Sequence, residues 1–196
     1  GDGLPRLEKM TRLLNLDLAE TELNDEDLAK LPALPNARDL NLSQTSVNGS
    51  GLKHLGKLPQ LRSLNLSGTR LTETAGLASL GKLESLDLSG SPVTDAMLAP
   101  LAKLDGLRAL LLPGTQIADA GVKHLAGCRQ LRFLDLSNTA VTDASVAWLL
   151  QLSMLERLHI QKTAISDDAV QKLRQTLPRL RIRRTRPTDV RPKVSR

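Results

Sequence analysis

The stretch LRFLDLSNTAV, residues 131–141, decides the fold of this chain. Leu134, Asp135 and Leu136 alternate apolar and polar side chains, and this period of two predicts a strand with one buried face. Val146, Leu149 and Leu152 follow at a spacing of three, which predicts a short α or 3₁₀ helix lying against the strand. One such unit cannot bury its apolar face alone, so the sequence predicts that it stacks on others of its kind.

The same unit recurs along the chain. The other copies are LLNLDLAETEL from Leu13, ARDLNLSQTSV from Ala37, LRSLNLSGTRL from Leu61, LESLDLSGSPV from Leu83, LRALLLPGTQI from Leu107 and LERLHIQKTAI from Leu155. Successive copies are 24 residues apart, except that the step from Leu61 to Leu83 is 22 residues. Seven copies in register predict seven stacked coils, and LPRLRIRRT begins an eighth strand.

These copies resemble the leucine-rich repeat family, with its pattern L-x-x-L-x-L-x-x-[N/C/T]-x-L. More narrowly they are similar to the bacterial variety with Thr at the ninth position, known from planctomycete proteins and the GALA group of plant-pathogen effectors. The resemblance implies an α/β leucine-rich repeat solenoid, a horseshoe segment with a parallel inner sheet and short outer helices. We expect this domain over residues 1–185 and a basic disordered tail or linker over residues 186–196.

The first residues of the chain and its uneven charge lead to further predictions. The sequence starts inside a repeat unit, which predicts a fragment of a longer array whose uncovered N-terminal edge would allow self-association. From Arg179 to Arg196 there are eight basic residues and one acid, a net of +7, while the remainder is close to neutral. No apolar run reaches the length of a membrane span. The sequence does not determine the compartment, although the lack of a disulfide framework favours the cytoplasm.

The residue types that would support catalysis are scarce. His54 and His124 occupy the same helix position of two repeats, which indicates a structural, solvent-facing role. The single cysteine, Cys128, takes the place of a core leucine and is interpreted as a buried thiol. The Thr column at the ninth position (Thr21, Thr45, Thr69, Thr115, Thr139 and Thr163, with Ser91) is expected to hydrogen-bond the backbone of the neighbouring coil. We therefore predict no enzyme activity, no metal and no cofactor.

The most informative positions are the third and fifth of each repeat, because their side chains point away from the helices. Position three reads Asn15, Asp39, Ser63, Ser85, Ala109, Phe133, Arg157 and Arg181. Position five reads Asp17, Asn41, Asn65, Asp87, Leu111, Asp135, His159 and Arg183. The surface runs from acidic and neutral to basic, and Leu111 and Phe133 form an apolar interruption. Apolar anchors in polar surroundings are typical of binding hot spots, whereas single exposed apolar residues are also commonplace.

The leading hypothesis is a non-catalytic protein–protein interaction module that binds its partner on the concave sheet face. The expected contact residues are Leu111, Phe133, Asp135, Arg157, His159, Asp87, Arg181 and Arg183.

Three alternatives remain open. One is a scaffold segment or accessory domain of a larger protein. The second, by analogy with the GALA proteins, is an effector-type substrate receptor, although the sequence shows no F-box-like segment. The third is a basic C-terminal end that binds nucleic acid, anionic lipid or another polyanion, which ranks lower because the chain has few aromatic residues to stack on bases.

Overall fold

A computed structural model describes residues 3–184 of the chain. Within that range eight strands of three residues form one parallel sheet in sequence order. The strands are β1 (Asn15–Asp17), β2 (Asp39–Asn41), β3 (Ser63–Asn65), β4 (Ser85–Asp87), β5 (Ala109–Leu111), β6 (Phe133–Asp135), β7 (Arg157–His159) and β8 (Arg181–Arg183). The predicted α/β leucine-rich repeat solenoid is confirmed, including the eighth strand. The predicted tail, residues 186–196, lies outside the described residues.

The segments between strands contain short helices. The α-helices are α1 (Asp25–Ala29), α2 (Asp119–His124), α3 (Val146–Leu149) and α4 (Asp167–Thr176). The 3₁₀ helices are Leu4–Lys9, Leu52–Lys57, Ala75–Ser79, Asp95–Lys103, Leu125–Gly127 and Asp143–Ser145. Triplet spacing suits the 3₁₀ geometry because side chains three residues apart lie on one face. None of the helices within residues 3–184 is long and apolar enough to cross a membrane.

The register of the sheet follows the repeat. Asn15 pairs with Asp39 and Ser63 pairs with Ser85, so the shortened 22-residue step is absorbed without a shift in the sheet. The middle residue of each strand points to the helices and is buried in β1–β7, as at Leu134 in β6, which is fully inaccessible, whereas Ile182 in β8 is half-buried. The core is almost wholly aliphatic and runs the length of the solenoid as one continuous cluster.

Aspartates at the start of several helical segments join their coil to the next. The Asp25 carboxylate accepts hydrogen bonds from three backbone N–H groups of the following coil, those of Asn48 (2.7 Å), Gly49 (3.1 Å) and Gly51 (2.7 Å). Asp143 accepts from the backbone N–H and the hydroxyl of Ser166, both at 2.7 Å. These hydrogen bonds hold the pKa of Asp143 below its ordinary value, because they favour the charged form. These carboxylates therefore link neighbouring coils through hydrogen bonds.

Polar side chains at the bends hydrogen-bond the backbone in two ways. Asn24, Thr142 and Ser166 cap helices with their side chains, whereas Thr94 makes no capping hydrogen bond. In the Thr column, the hydroxyls donate to the carbonyl three residues earlier in their own coil, as Thr45 does to Leu42 at 2.7 Å. The expectation of a bond to the neighbouring coil was therefore wrong for the threonines. Only the serine of that column donates across coils, to Leu66 at 2.8 Å.

Candidate functional site

The open face is the side of the sheet that carries the side chains of positions three and five. Those side chains are exposed or half-buried in every strand, while the middle residues between them face the core. Parallel sheets are normally covered on both faces. Among residues 3–184 no helix covers this one, so the open face is the surface that the solenoid presents to its surroundings.

In β1–β4 and in β6, position five ends the strand with a turn that its side chain completes. A carboxylate or carboxamide oxygen accepts the backbone N–H two residues on, at 2.9 Å from Ala19 to Asp17, 2.9 Å from Ser67 to Asn65 and 2.8 Å from Ser137 to Asp135. The exposed polar column thus has a structural task besides any contact with a partner. At β7, where position five is His159, the N–H two residues on has no such acceptor and reaches the Ser137 hydroxyl of the preceding coil at 3.3 Å.

Leu111 interrupts this column of hydrogen-bond acceptors. Pro113, two residues on, has no N–H group that would need the missing acceptor. A leucine cannot accept a hydrogen bond, but the residue two positions on is proline, which has no N–H to donate. Donor and acceptor are therefore missing together at β5. The turn at Leu111 is complete without a polar side chain, and this position of the open face can carry an apolar one at no cost in unsatisfied groups.

We expect the two positions to be energetically coupled. Pro113→Ser alone exposes an N–H group without its side-chain acceptor, and Leu111→Asn alone supplies an acceptor without a donor. In Leu111→Asn/Pro113→Ser the hydrogen bond seen at Asn65 and Ser67 forms again. The double variant should be more stable than the sum of the single changes by about 1 kcal/mol in urea unfolding. Additive effects would contradict the compensation.

Phe133, the other apolar residue of the face, is covered in part by its own neighbours. The ring of His159 meets the Phe133 ring edge-on, with centroids 5.0 Å apart and planes at 77°. The guanidinium of Arg157 lies 5.0 Å from the centre of the same ring. A cation over an aromatic face is held by the ring quadrupole, which orients the long arginine side chain. Phe133 is half-buried for this reason and organises two polar residues around it.

Asp135 completes this group. Its Oδ2 lies 3.3 Å from Nδ1 of His159, the cross-strand neighbour, while its Oδ1 accepts from Ser137. The two side chains are therefore in hydrogen-bonding contact across neighbouring strands. The side chains are 15% exposed for Asp135 and 23% for His159, so the pair is partly shielded from water. Phe133, Arg157, His159 and Asp135 form one connected group, which we call the Phe133 cluster.

The structure places the remaining predicted contact residues around this cluster. Leu111 is half-buried on β5 and pairs in register with Asp87 on one side and Asp135 on the other. It is therefore diagonal to Phe133, which pairs with Ala109 and Arg157. Arg181 and Arg183 are exposed on β8 and continue the columns of Arg157 and His159. All eight predicted residues share the open face, and their role in binding stays a prediction.

Residues at the second position of the repeats form a row of ion pairs that was not predicted from the sequence. Glu84 lies between Arg62 and Arg108, in contact with the first and 3.7 Å from the second, and Arg132 pairs with Glu156 at 2.9 Å. The signal was available, since acids alternate with pairs of arginines at this position. These pairs are substantially exposed, so each contributes little to the free energy of unfolding. They pair three arginines of this row with acids of the same row.

The cysteine and the helical histidines, residue types that often serve in catalysis, have structural roles here. Cys128 is fully buried, its Sγ lies 3.4 Å from the Leu101 carbonyl, and burial, with a smaller effect of the Asp105 charge, raises the pKa of the thiol to about 11. A neutral, inaccessible thiol is not a nucleophile. His54 and His124 are half-buried on helices, apart from the open face. Within residues 3–184 no group of three or more His, Cys, Asp and Glu could hold a metal ion.

Comparison with known proteins gives structural relatives only. No protein-family model and no curated protein matches the chain. Internalin C2 from Listeria monocytogenes is similar in structure, with 27% sequence identity and a TM-score of 0.71, over 92% of this chain and 76% of that chain.

Two more distant structures share the fold alone. Internalin InlF from the same bacterium has 22% identity and a TM-score of 0.66, over 92% of this chain and 56% of its own. The plant peptide hormone receptor RGFR1, solved in complex with RGF2, has 18% identity and a TM-score of 0.61, over 91% of this chain and 28% of its own. The chain thus spans about half of InlF and little more than a quarter of the receptor.

These neighbours are leucine-rich repeat proteins, a class that generally serves as non-catalytic interaction modules, and they indicate no enzyme family. They do not test the Thr-type subtype, which stays a prediction from the repeat pattern. The chain has the leucine-rich repeat fold, and its structural neighbours support its place among the leucine-rich repeat proteins.

Proposed function

We propose that this protein binds a partner protein through the open face, with Leu111 and the Phe133 cluster at the centre of the contact. A protein–protein interaction module is what the structural neighbours support as a class. The observation that carries the finer proposal is the Phe133 cluster itself. An aromatic ring, a guanidinium and a paired carboxylate are held together on the one surface of the solenoid that no described helix covers.

The composition of this centre suits a binding hot spot. Aromatic residues and arginines dominate the energetics of protein interfaces, and apolar groups near the centre exclude water from the polar ones. Arg157 and His159 are already oriented by Phe133 and Asp135, so less side-chain entropy is lost when a partner binds. Asp87, Arg181 and Arg183 lie at the periphery, where exposed charges affect partner choice and association rate more than affinity.

The test is affinity capture followed by direct binding. The immobilised chain is incubated with lysate of the source organism, and each captured protein is purified and titrated against the variants. Leu111→Ser/Phe133→Ser should weaken binding at least tenfold, because the apolar centre is lost. The matched control is Met97→Ser/Trp148→Ser, which removes two half-buried apolar side chains from helical segments on the other side of the sheet. Equal affinities for the two double variants would refute the proposed contact.

A polyanion-binding function is favoured by one observation, the exposed arginines of β8. A chain that ends at Thr185 lacks four of the eight basic residues between Arg179 and Arg196 but keeps the arginines of β8. Salt-sensitive loss of a captured nucleic acid in this shortened chain, with no effect of the Leu111/Phe133 double variant, would move the function to the basic end.

Two further hypotheses, a scaffold role and self-association, are tested with the same variants and by light scattering. Met10 and Leu14 of the first coil are 50% and 48% exposed, so this edge could contact another copy. Light scattering that shows only monomer would exclude the contact. If wild type, the Leu111/Phe133 double variant and the shortened chain capture the same background, the scaffold role becomes the better explanation.

A further inference from the structure

The two ends of the open face carry opposite charges that form no ion pair with another residue of the described range, residues 3–184. Strands β1–β4 present Asp17, Asp39 and Asp87, and strands β7–β8 present Arg157, Arg181 and Arg183. Within residues 3–184 none of these six side chains lies within ion-pair distance of an opposite charge. Arg157 contacts the Phe133 ring instead. The face is therefore divided into an acidic end and a basic end.

Several charges elsewhere on the sheet are compensated internally. Glu84 and Glu156 pair with three arginines of position two, and Oδ2 of Asp135 at the centre of the face lies 3.3 Å from Nδ1 of His159. Arg184, which directly follows β8, pairs with Asp167. The absence of ion pairs at the two ends of the open face contrasts with these neighbours. Uncompensated charges on an uncovered face are complementary to charges on a partner.

The acidic end also has a shape that accepts side chains. An open depression of about 320 Å³ lies over the first three strands, and its polar lining consists of Asn15, Asp17, Asp39, Asn41, Ser63 and Asn65. Every one of these side chains offers an oxygen acceptor, and two are carboxylates. A lysine or arginine side chain finds hydrogen-bond acceptors and opposite charge in the same place.

We propose that the open face binds an extended, charge-polarised protein segment, with basic side chains over β1–β4 and acidic side chains over β7–β8. The inference rests on the proposed function and specifies the chemistry of the partner. The apolar middle of the segment contacts Leu111 and the Phe133 cluster. The two charged blocks contact the two ends.

The strand spacing sets the length of this segment. Neighbouring strands are about 4.8 Å apart, so the distance is about 24 Å from Asp39 on β2 to Arg157 on β7, and about 34 Å from Asp17 on β1 to Arg183 on β8. An extended chain advances about 3.3 Å per residue. The basic and acidic blocks of the partner are therefore about seven to ten residues apart, in a segment that crosses the strands.

A uniformly anionic partner fits this face less well. A nucleic acid long enough to cross the sheet would be attracted to Arg157, Arg181 and Arg183, but repelled by Asp17, Asp39 and Asp87. It would also find a single aromatic side chain on the face, Phe133, and base stacking normally uses several. The division of charge thus favours a protein segment that carries both signs.

Synthetic peptides of about twelve residues test the proposal directly. The polarised probe has two lysines at one end, two glutamates at the other and a leucine in the middle of an uncharged linker. A second probe reverses the order, and a mixed probe of the same composition alternates its charges beside the leucine. We expect the wild-type chain to bind one or both polarised probes about tenfold more tightly than the mixed probe at low salt, with the preference decreasing as salt screens the charges.

Charge-reversal variants locate the effect. Two charge-reversal double variants, Asp17→Lys/Asp39→Lys and Arg181→Glu/Arg183→Glu, should each weaken binding of the polarised probe about tenfold. The fourfold variant should restore tight binding of at least one of the two polarised probes, because its exchanged ends accept the opposite order of charges. Matched controls on the helices are Glu26→Lys/Asp168→Lys and Lys53→Glu/Lys172→Glu, which change net charge equally and should stay within about threefold of wild type. Where the lysine variant fails to fold, Asp17→Asn/Asp39→Asn keeps the turn acceptor at Asp17 and removes the charge.

The outcomes separate this inference from the proposed function. Equal binding of the polarised and mixed probes would refute the proposed charge polarity of the partner. A folded fourfold variant that binds both polarised probes weakly would refute it as well. Tighter binding of a twelve-nucleotide single strand than of the polarised probe also overturns it. Leu111→Ser/Phe133→Ser could then still abolish partner capture, which would retain the proposed function without the polarity. The reverse result, charge-sensitive probe binding with capture unaffected by that double variant, supports the polarity and refutes the apolar centre.

Discussion

Leu110→Ala should lower the free energy of unfolding by about 3 kcal/mol. Leu110 is the middle residue of β5, fully inaccessible, and pairs in register with Leu86 and Leu134. Removing a buried leucine loses its transfer free energy and leaves a cavity, with a total cost of about 2–5 kcal/mol. Each coil of a solenoid contacts only its neighbours, so the cavity weakens the contacts on both sides of the fifth coil. Urea unfolding followed by circular dichroism measures the change.

Leu14→Ala provides the matched control for this substitution. It deletes the same atoms from a leucine that is 48% exposed, and we expect a change below about 0.5 kcal/mol. Hydrogen exchange should place the loss of protection in Leu110→Ala at β4–β6. Equal destabilisation by the two substitutions would mean that the stability of the solenoid does not come from its buried leucine column.

The repeat predicted the fold because a solenoid is close to one-dimensional. Each copy of the pattern has the same neighbours, so the alternation around Leu134 and the spacing of Val146, Leu149 and Leu152 determine strand, helix and register together. Even the shortened step before Leu83 could be placed, since the missing residues fall in the helical segment and the strands stay aligned. Long-range contacts in this fold are therefore consequences of local sequence.

Side-chain partners were harder to predict because several lie within reach of each group. A threonine hydroxyl at the bend can reach a carbonyl of its own coil or one of the next coil, and Thr45 takes its own. Arg157 could pair with a carboxylate but lies over Phe133. The compensation of Leu111 by Pro113 is visible in the sequence only once the hydrogen bond between Asp135 and the Ser137 N–H is known. Which residues share the open face was predictable, whereas their pairing depends on rotamers.

Gly49→Ala should be among the most damaging substitutions in the chain, with a cost of about 3 kcal/mol or more. Gly49 has a φ of +111°, a conformation that residues with a Cβ rarely adopt, and a Cβ here would lie 2.0 Å from the carbonyl oxygen of Glu73. Backbone strain of this kind costs about 1–3 kcal/mol, and overpacking costs about as much again. Relief would require the loop to move away from the Asp25 carboxylate, which accepts the Gly49 N–H.

Two further glycines separate the two causes. Gly90 has a φ of +66° with no atom within 4 Å of a Cβ, so Gly90→Ala should cost about 1 kcal/mol through backbone conformation alone. Gly56 lies in the helix Leu52–Lys57 with an ordinary φ and open space, and Gly56→Ala should stabilise the protein slightly. In thermal unfolding, we expect the destabilisation to increase from Gly56→Ala through Gly90→Ala to Gly49→Ala. If Gly49→Ala costs no more than Gly90→Ala, the close packing of this loop against the next coil contributes nothing, and the carboxylate of Asp25 alone holds the two coils together there.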